Sequence, residues 1–134
     1  MITKKTKYAL KALKVLATRH LKGPTFVSEI VTQENIPKSY LQTILVELTH
    51  SGLIESNMGK GGYSLAVPAD QISFLTVLEV TGAPIAAIEC ASSTFSGQCA
   101  DCASGELCTL KTALEKWQAV NLSVLSKTTI QDLL

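Results

Sequence analysis

Asn35-Ile36-Pro37-Lys38-Ser39-Tyr40-Leu41-Gln42-Thr43-Ile44-Leu45-Val46-Glu47-Leu48 decides the fold. Asn35-Ile36-Pro37 marks a turn, and Pro37 opens a helix because a proline in the first turn loses no intrahelical hydrogen bond. Leu41, Ile44, Leu45 and Leu48 recur at i, i+3, i+4 and i+7, which makes one apolar face. Lys38, Ser39, Gln42 and Thr43 occupy the opposite face, and Gly52 stops the helix. Upstream, residues 27–33 read as a shorter helix with Thr25 or Ser28 available to cap it. Two short helices across a tight turn, the second polar and basic near its N-terminal end, have the layout of a helix-turn-helix that enters a major groove. An ordinary α-hairpin is the plainer alternative.

The segment downstream favours the first reading. Leu53-Ile54-Glu55-Ser56 and Tyr63-Ser64-Leu65-Ala66 are short alternating segments joined by Asn57-Met58-Gly59-Lys60-Gly61-Gly62. This is a β-hairpin with a glycine-rich tip, where glycines and a lysine allow close approach to a phosphate chain or a minor groove. Directly after a helix-turn-helix it reads as a wing.

Upstream, residues 4–19 read as an amphipathic helix with Ala9, Leu10, Leu13 and Leu16 inward. Lys4, Lys7, Lys11 and Lys14 form one basic stripe, either a DNA-facing surface or simply a solvated face. The formal charge of +1 hides an asymmetry: nine Lys or Arg against four Glu up to Val67, then three against seven acids from Pro68 onward. The first half is therefore the nucleic-acid candidate. His20 and His50 stand alone beside helix ends and read as surface or capping residues.

With 134 residues, 46% of them hydrophobic, the chain holds enough apolar material for a core, as one ordinary domain or a small domain carrying an extension. Its N-terminus runs into an amphipathic segment, not a signal-peptide core, so a reducing cytoplasm is expected. No apolar run approaches the ~20 residues needed to cross a bilayer.

Pro68-Ala69-Asp70 is a turn, Ser73 caps a short helix carrying Leu75 and Leu78, and Gly82-Ala83-Pro84 ends it. An apolar run, residues 85–88, then leads to Cys90-x8-Cys99-x2-Cys102-x5-Cys108, which gathers all four cysteines into 19 positions. In a reducing compartment clustered cysteines are metal ligands or redox thiols more often than disulfides. Four thiolates suit an iron–sulfur cluster or a tetrahedral zinc, and Cys99-x2-Cys102 could instead be a metal-free thiol switch. A thioredoxin-like oxidoreductase fails on context, since no βαβ pattern surrounds the pair.

Beyond Cys108, Leu107, Leu110, Leu114, Trp117, Asn121 and Val124 follow alternating intervals of three and four, a heptad seam. Its natural outlet is self-association, with Asn121 as a polar register-setter; packing within one subunit is the alternative. Residues 126–134 read as a short terminal helix or an interface extension.

Five segments in this order resemble the Rrf2 family of bacterial transcription regulators. They are Thr-Lys-Tyr-Ala-Leu-Lys-Ala-Leu in the first helix, Ile-Pro-Lys-Ser-Tyr-Leu-Gln in the third, Gly-Lys-Gly-Gly-Tyr-Ser-Leu in the wing, Ile-Ser-Phe-Leu-Thr-Val-Leu-Glu-Val-Thr-Gly-Ala-Pro-Ile after it, and the closing Lys-Thr-Thr-Ile-Gln-Asp-Leu-Leu. The resemblance implies a regulator, not an enzyme, acting as a homodimer on a near-palindromic double-stranded operator. It assigns recognition to Ser39, Tyr40, Gln42 and Thr43 and the wing contact to Gly59, Lys60, Gly61 and Gly62, with Met58 and Lys60 flanking the place where many relatives carry an arginine. It matches Cys90, Cys102 and Cys108 to the three cysteines of the cluster-binding branch. The positions matching that branch's fourth ligand are Lys111 and about Lys7, neither a plausible ligand, and Cys99 is an extra thiol that could take the vacancy.

The expected architecture is thus mainly α with a small β-hairpin wing: a winged helix-turn-helix over residues 1–67, a linking helix and turn over 68–89, a cysteine-rich sensor loop over 90–108, and a dimerisation helix with terminal extension over 106–134. Expected DNA contacts are Lys4, Lys7, Lys11, Lys38, Ser39, Tyr40, Gln42, Thr43 and Gly59 through Gly62. Expected ligands are Cys90, Cys99, Cys102 and Cys108, holding an iron–sulfur cluster, or zinc, or nothing. A regulator sensing a small molecule or partner enzyme, and a metal or redox protein with no operator, are the competing functions.

Overall fold

The computed structural model describes residues 2–86 and 109–134. Helix α1 (Lys4–Thr18) begins where Thr3 accepts from the Thr6 N–H at 3.2 Å and stops one residue short of the expected end, with Arg19 as its C-cap. It buries Thr6, Ala9, Leu10, Ala12, Leu13, Val15 and Leu16, a wider set than a one-faced helix presents. The reason is its central position: α1 packs against α2 (Val27–Glu34), α3 (Lys38–His50), strand β2 (Tyr63–Leu65), α4 (Phe74–Val80) and a C-terminal 3-10 turn, Ile130–Leu133.

Helices α2 and α3 are separated by Asn35, Ile36 and Pro37. Asn35 takes the left-handed conformation (φ 53°, ψ 51°) and its N–H closes α2 on the Val31 carbonyl, as asparagine does at helix ends. Ile36 is buried, Pro37 caps α3, and Leu41, Ile44, Leu45 and Leu48 enter the core as their spacing predicts. The start of α2 differs from expectation. Neither Thr25 nor Ser28 caps it: Glu29 reaches back to accept from the Phe26 N–H at 2.8 Å, the reach-back half of a capping box.

Strands β1 (Ile54–Ser56) and β2 pair antiparallel with Ile54 opposite Leu65 and Ser56 opposite Tyr63. A third piece joins them. Thr25 N–H donates to the Tyr63 carbonyl at 2.9 Å, and Tyr63 N–H donates to the Thr25 carbonyl at 2.8 Å, so Thr25 is occupied in the sheet. Ser73 caps α4 through the Thr76 N–H at 3.1 Å, as expected.

The last long helix, α5 (Thr109–Lys127), buries no side chain within the chain. Its foot is tied to α4: the Phe74 N–H donates to the Thr128 carbonyl at 2.8 Å and the Ile130 N–H to the Ile72 carbonyl at 3.0 Å. Ile130 is fully buried and joins the cluster of Leu13, Leu16, Ile44 and Leu48, as do Ile72 and Val77. The core begun by the first 67 residues is completed by side chains beyond them, and the terminal segment is a 3-10 turn packed on it. Among the described residues no helix is long and apolar enough to cross a membrane.

Candidate nucleic-acid interface

Helix α3 displays Lys38, Ser39, Gln42 and Thr43 outward, all exposed, with Tyr40 at the edge of that face. No side chain caps its N-terminus, so first-turn N–H groups and the positive end of the helix dipole lie beside Lys38, which suits a phosphate oxygen. Thr43 Oγ1 donates back to the Ser39 carbonyl at 3.3 Å, leaving its oxygen lone pairs outward.

The wing tip carries Met58, 91% exposed, beside exposed Gly59, Lys60 and Gly61. The Asn57 N–H donates to the Gly62 carbonyl and the Gly61 N–H to the Asn57 carbonyl, each at 2.9 Å. Gly62 is where the wing presses on the body: at φ +87°, a Cβ there would lie 2.9 Å from the Pro24 Cβ and 3.2 Å from the Thr25 oxygen. Only glycine lets β2 run this close to residues 24–25. A Cβ on Gly61 would meet the Phe26 ring at 3.1 Å, so the N-terminus of α2 also steers the wing.

The lysine stripe of α1 divides. Lys4 Nζ lies over the Tyr8 ring, 5.8 Å from its centroid, and Lys7 is exposed. Lys11 and Lys14 share Glu34 at 3.5 and 3.9 Å, and Lys11 also reaches the Glu34 carbonyl at 3.4 Å. The half of the stripe near α2 is thus partly neutralised within the chain.

Three arrangements escape a reading of the sequence. Lys5, off the stripe, pairs with Glu47 of α3 at 2.7 Å. Tyr8 and Tyr40 meet edge-to-face with centroids 5.5 Å apart. Arg19 pairs with Glu29 at 2.5 Å, and the Phe26 N–H together with that guanidinium holds the Glu29 carboxyl below the usual carboxylate range. Each joins positions far apart in spacing rules, and only the packing of α1 across α2 and α3 brings them together.

On α5, Leu110, Trp117 and Val124 are exposed and Leu114 and Asn121 half-buried, while Val120, 64% exposed, widens the stripe beyond the expected seam. Leu107 and the expected ligands Cys90, Cys99, Cys102 and Cys108 lie outside the described residues, as do residues 87–88 and the expected helix start at 106. Among the described residues no group of three His, Cys, Asp or Glu gathers to hold a metal. Lys7 and Lys111 are described; Lys111 lies 3.9 Å from Glu115.

Residues 2–134 match the Rrf2 family, described as "Iron-dependent Transcriptional regulator". The chain is 33% identical to the rrf2-like HTH-type transcriptional regulator of Rhodobacter capsulatus over 138 aligned residues, covering 100% of this chain and 92% of the relative. It is 29% identical to the HTH-type transcriptional regulator NsrR of Bacillus licheniformis, covering 99% and 91%. The structure of CymR, the global cysteine regulator of B. subtilis, superposes with a TM-score of 0.81 at 27% identity, covering 99% of this chain and 95% of that one.

Proposed function

The chain belongs to the Rrf2 family of transcription regulators, and from that premise we propose that it is a cytoplasmic homodimer whose grip on a near-palindromic operator is set by an iron–sulfur cluster at Cys90, Cys99, Cys102 and Cys108. Its relatives regulate transcription and are not enzymes. The family's iron dependence and a donor set of four thiols support the cluster. The family resemblance puts lysines, at about position 7 and at 111, where the cluster-binding branch has its fourth ligand, and the extra Cys99 could fill that place. Bound there, a cluster supplies a thiolate-held centre sensitive to oxygen and redox state.

The observation that carries the reading is how the two helices flanking the cysteine stretch are anchored. At the end of α4, Thr81 Oγ1 bonds Thr6 Oγ1 of α1 at 2.8 Å, buried from water; at the foot of α5, Thr128 bonds the start of α4. A change between residues 87 and 108 would act on two helices that are both joined to the DNA-binding body. Pairing the exposed stripes of two α5 helices sets the separation of two α3 helices, which a two-fold operator requires near one helical turn, ~34 Å.

A metal-free thiol switch is the second reading, favoured by the likeness to a global cysteine regulator; zinc is the third. Anaerobic purification with a visible spectrum and iron, sulfide and zinc analysis separates them, followed by footprinting with and without the metal. Coloured protein with matched iron and sulfide, and a palindrome protected differently after cluster loss, is the expected result. Colourless, metal-free protein whose footprint responds to a thiol oxidant replaces the cluster with the switch. Regulation unchanged after all four cysteines become serine favours small-molecule or partner sensing, and protection of no duplex removes the operator altogether.

A further inference from the structure

Helix α3 is held on one flank as well as on its buried face. That flank carries Tyr40 and Glu47, two turns apart, and both meet the first two turns of α1. Lys5 Nζ lies 2.7 Å from Glu47 Oε1, and the Tyr8 and Tyr40 rings meet at 5.5 Å with planes inclined by 79°. Lys4 Nζ also lies over the Tyr8 ring, 5.8 Å from its centroid, within cation–π range. As α1 rises from Lys5 to Tyr8, the contacts descend α3 from Glu47 to Tyr40, so the helices are fastened at two separate heights.

Two fastenings on one flank fix the rotation of a helix about its own axis. The apolar contacts of Leu41, Ile44, Leu45 and Leu48 hold α3 against the core but are non-directional, whereas an ion pair and an edge-to-face ring contact depend on direction. We infer that Tyr8 and Lys5 are positioning residues for DNA recognition: they set the rotation of α3 and hence where Ser39, Gln42 and Thr43 point. This rests on the reading of α3 as the helix that enters the groove. With side-chain tips about 5 Å from the axis, a rotation of roughly 20° moves them by nearly 2 Å, far beyond hydrogen-bond tolerance.

Tyr8 is half-buried and packs against the core, while the Lys5–Glu47 pair is partly exposed, so Tyr8→Phe keeps the packing and Lys5→Glu leaves the core untouched. That separates a positioning role from a merely structural one. In Tyr8→Ala, affinity for the operator falls about tenfold or more, the scale of a lost base contact, while affinity for a random duplex at the same salt stays within about twofold because phosphate contacts persist. Tyr8→Phe keeps the ring and restores the wild-type ratio. Lys5→Glu lowers operator affinity, and the Lys5→Glu/Glu47→Lys exchange recovers it at unchanged net charge. In the free protein, amide exchange over residues 41–43 accelerates in Tyr8→Ala and not in Tyr8→Phe.

An unchanged operator-to-random ratio in Tyr8→Ala, a Tyr8→Phe as impaired as Tyr8→Ala, or no recovery in the charge exchange overturns the inference. If the wild type itself prefers no sequence, the reading of α3 as the groove-entering helix falls. The exchange measurement still judges the fastening, and unaltered exchange in Tyr8→Ala overturns it without DNA.

Discussion

Glu29 joins three parts of the chain through one carboxylate: it accepts the Phe26 N–H that α2 leaves unpaired and holds Arg19 from the end of α1. Its folded pKa is below the ordinary 4.5, first because of the Phe26 N–H and then because of Arg19. A depressed carboxylate contributes stability that is fully present above the unfolded pKa and lost as pH falls through the folded one. The stability difference between wild type and Glu29→Gln is therefore constant near neutrality and shrinks from about pH 5 downward, measurable by urea midpoints across pH. Gly62 carries the second residue-scale expectation. Gly62→Ala forces a Cβ into Pro24 and Thr25 at a positive φ, costing about 1–3 kcal/mol in strain, and loosens the Thr25–Tyr63 bridge. Urea unfolding measures the cost, and weaker operator binding accompanies it.

Helix α5 leaves a stripe of large apolar side chains in water, with Trp117 53% exposed and Val120, Val124 and Leu110 more so. A stripe of this width is costly to leave in water, and the proposed pairing with a second copy would cover it. Trp117→Asp puts a charge at its centre, so sedimentation should show monomers while far-ultraviolet dichroism stays helical; a persistent dimer would remove α5 from the interface. The lysine stripe of α1 leads to a graded expectation. If lysines neutralise phosphates, log affinity falls with log salt by about 0.9 per contact. Lys38→Ala and Lys60→Ala should each flatten that slope by about one contact, and Lys11→Ala, whose charge already faces Glu34, by less.

At the scale of the whole molecule, the DNA-binding body is closed by a residue from the far end of the sequence. Ile130 is fully buried in the core, in a turn packed against α1, its N–H bonded to the Ile72 carbonyl. Ile130→Ala should cost about 2–5 kcal/mol of stability, read by chemical denaturation, and should weaken operator binding by loosening the foot of α5. A change confined to dimerisation, with the unfolding midpoint unmoved, would contradict that placement.

Local rules made much of this legible. The apolar spacing of α3, the Asn35–Pro37 turn, the glycine-rich hairpin and the Ser73 cap are decided within a few residues of themselves, and the structure has each where the residues predict it. The heptad stripe of α5 was legible too, because an apolar face at helical spacing is written in the order of residues. What the order could not express were contacts between elements: Arg19 paired with Glu29, Lys11 and Lys14 turned to Glu34, Tyr8 against Tyr40, and Ile130 inside the core. Each depends on the angle and height at which α1 crosses its neighbours, and that is settled only when all the apolar faces are packed at once. The sequence alone determined which segments are helix, wing and cysteine cluster; the tertiary structure decided which charges remain free for DNA, because neutralising a lysine takes a partner brought near by packing.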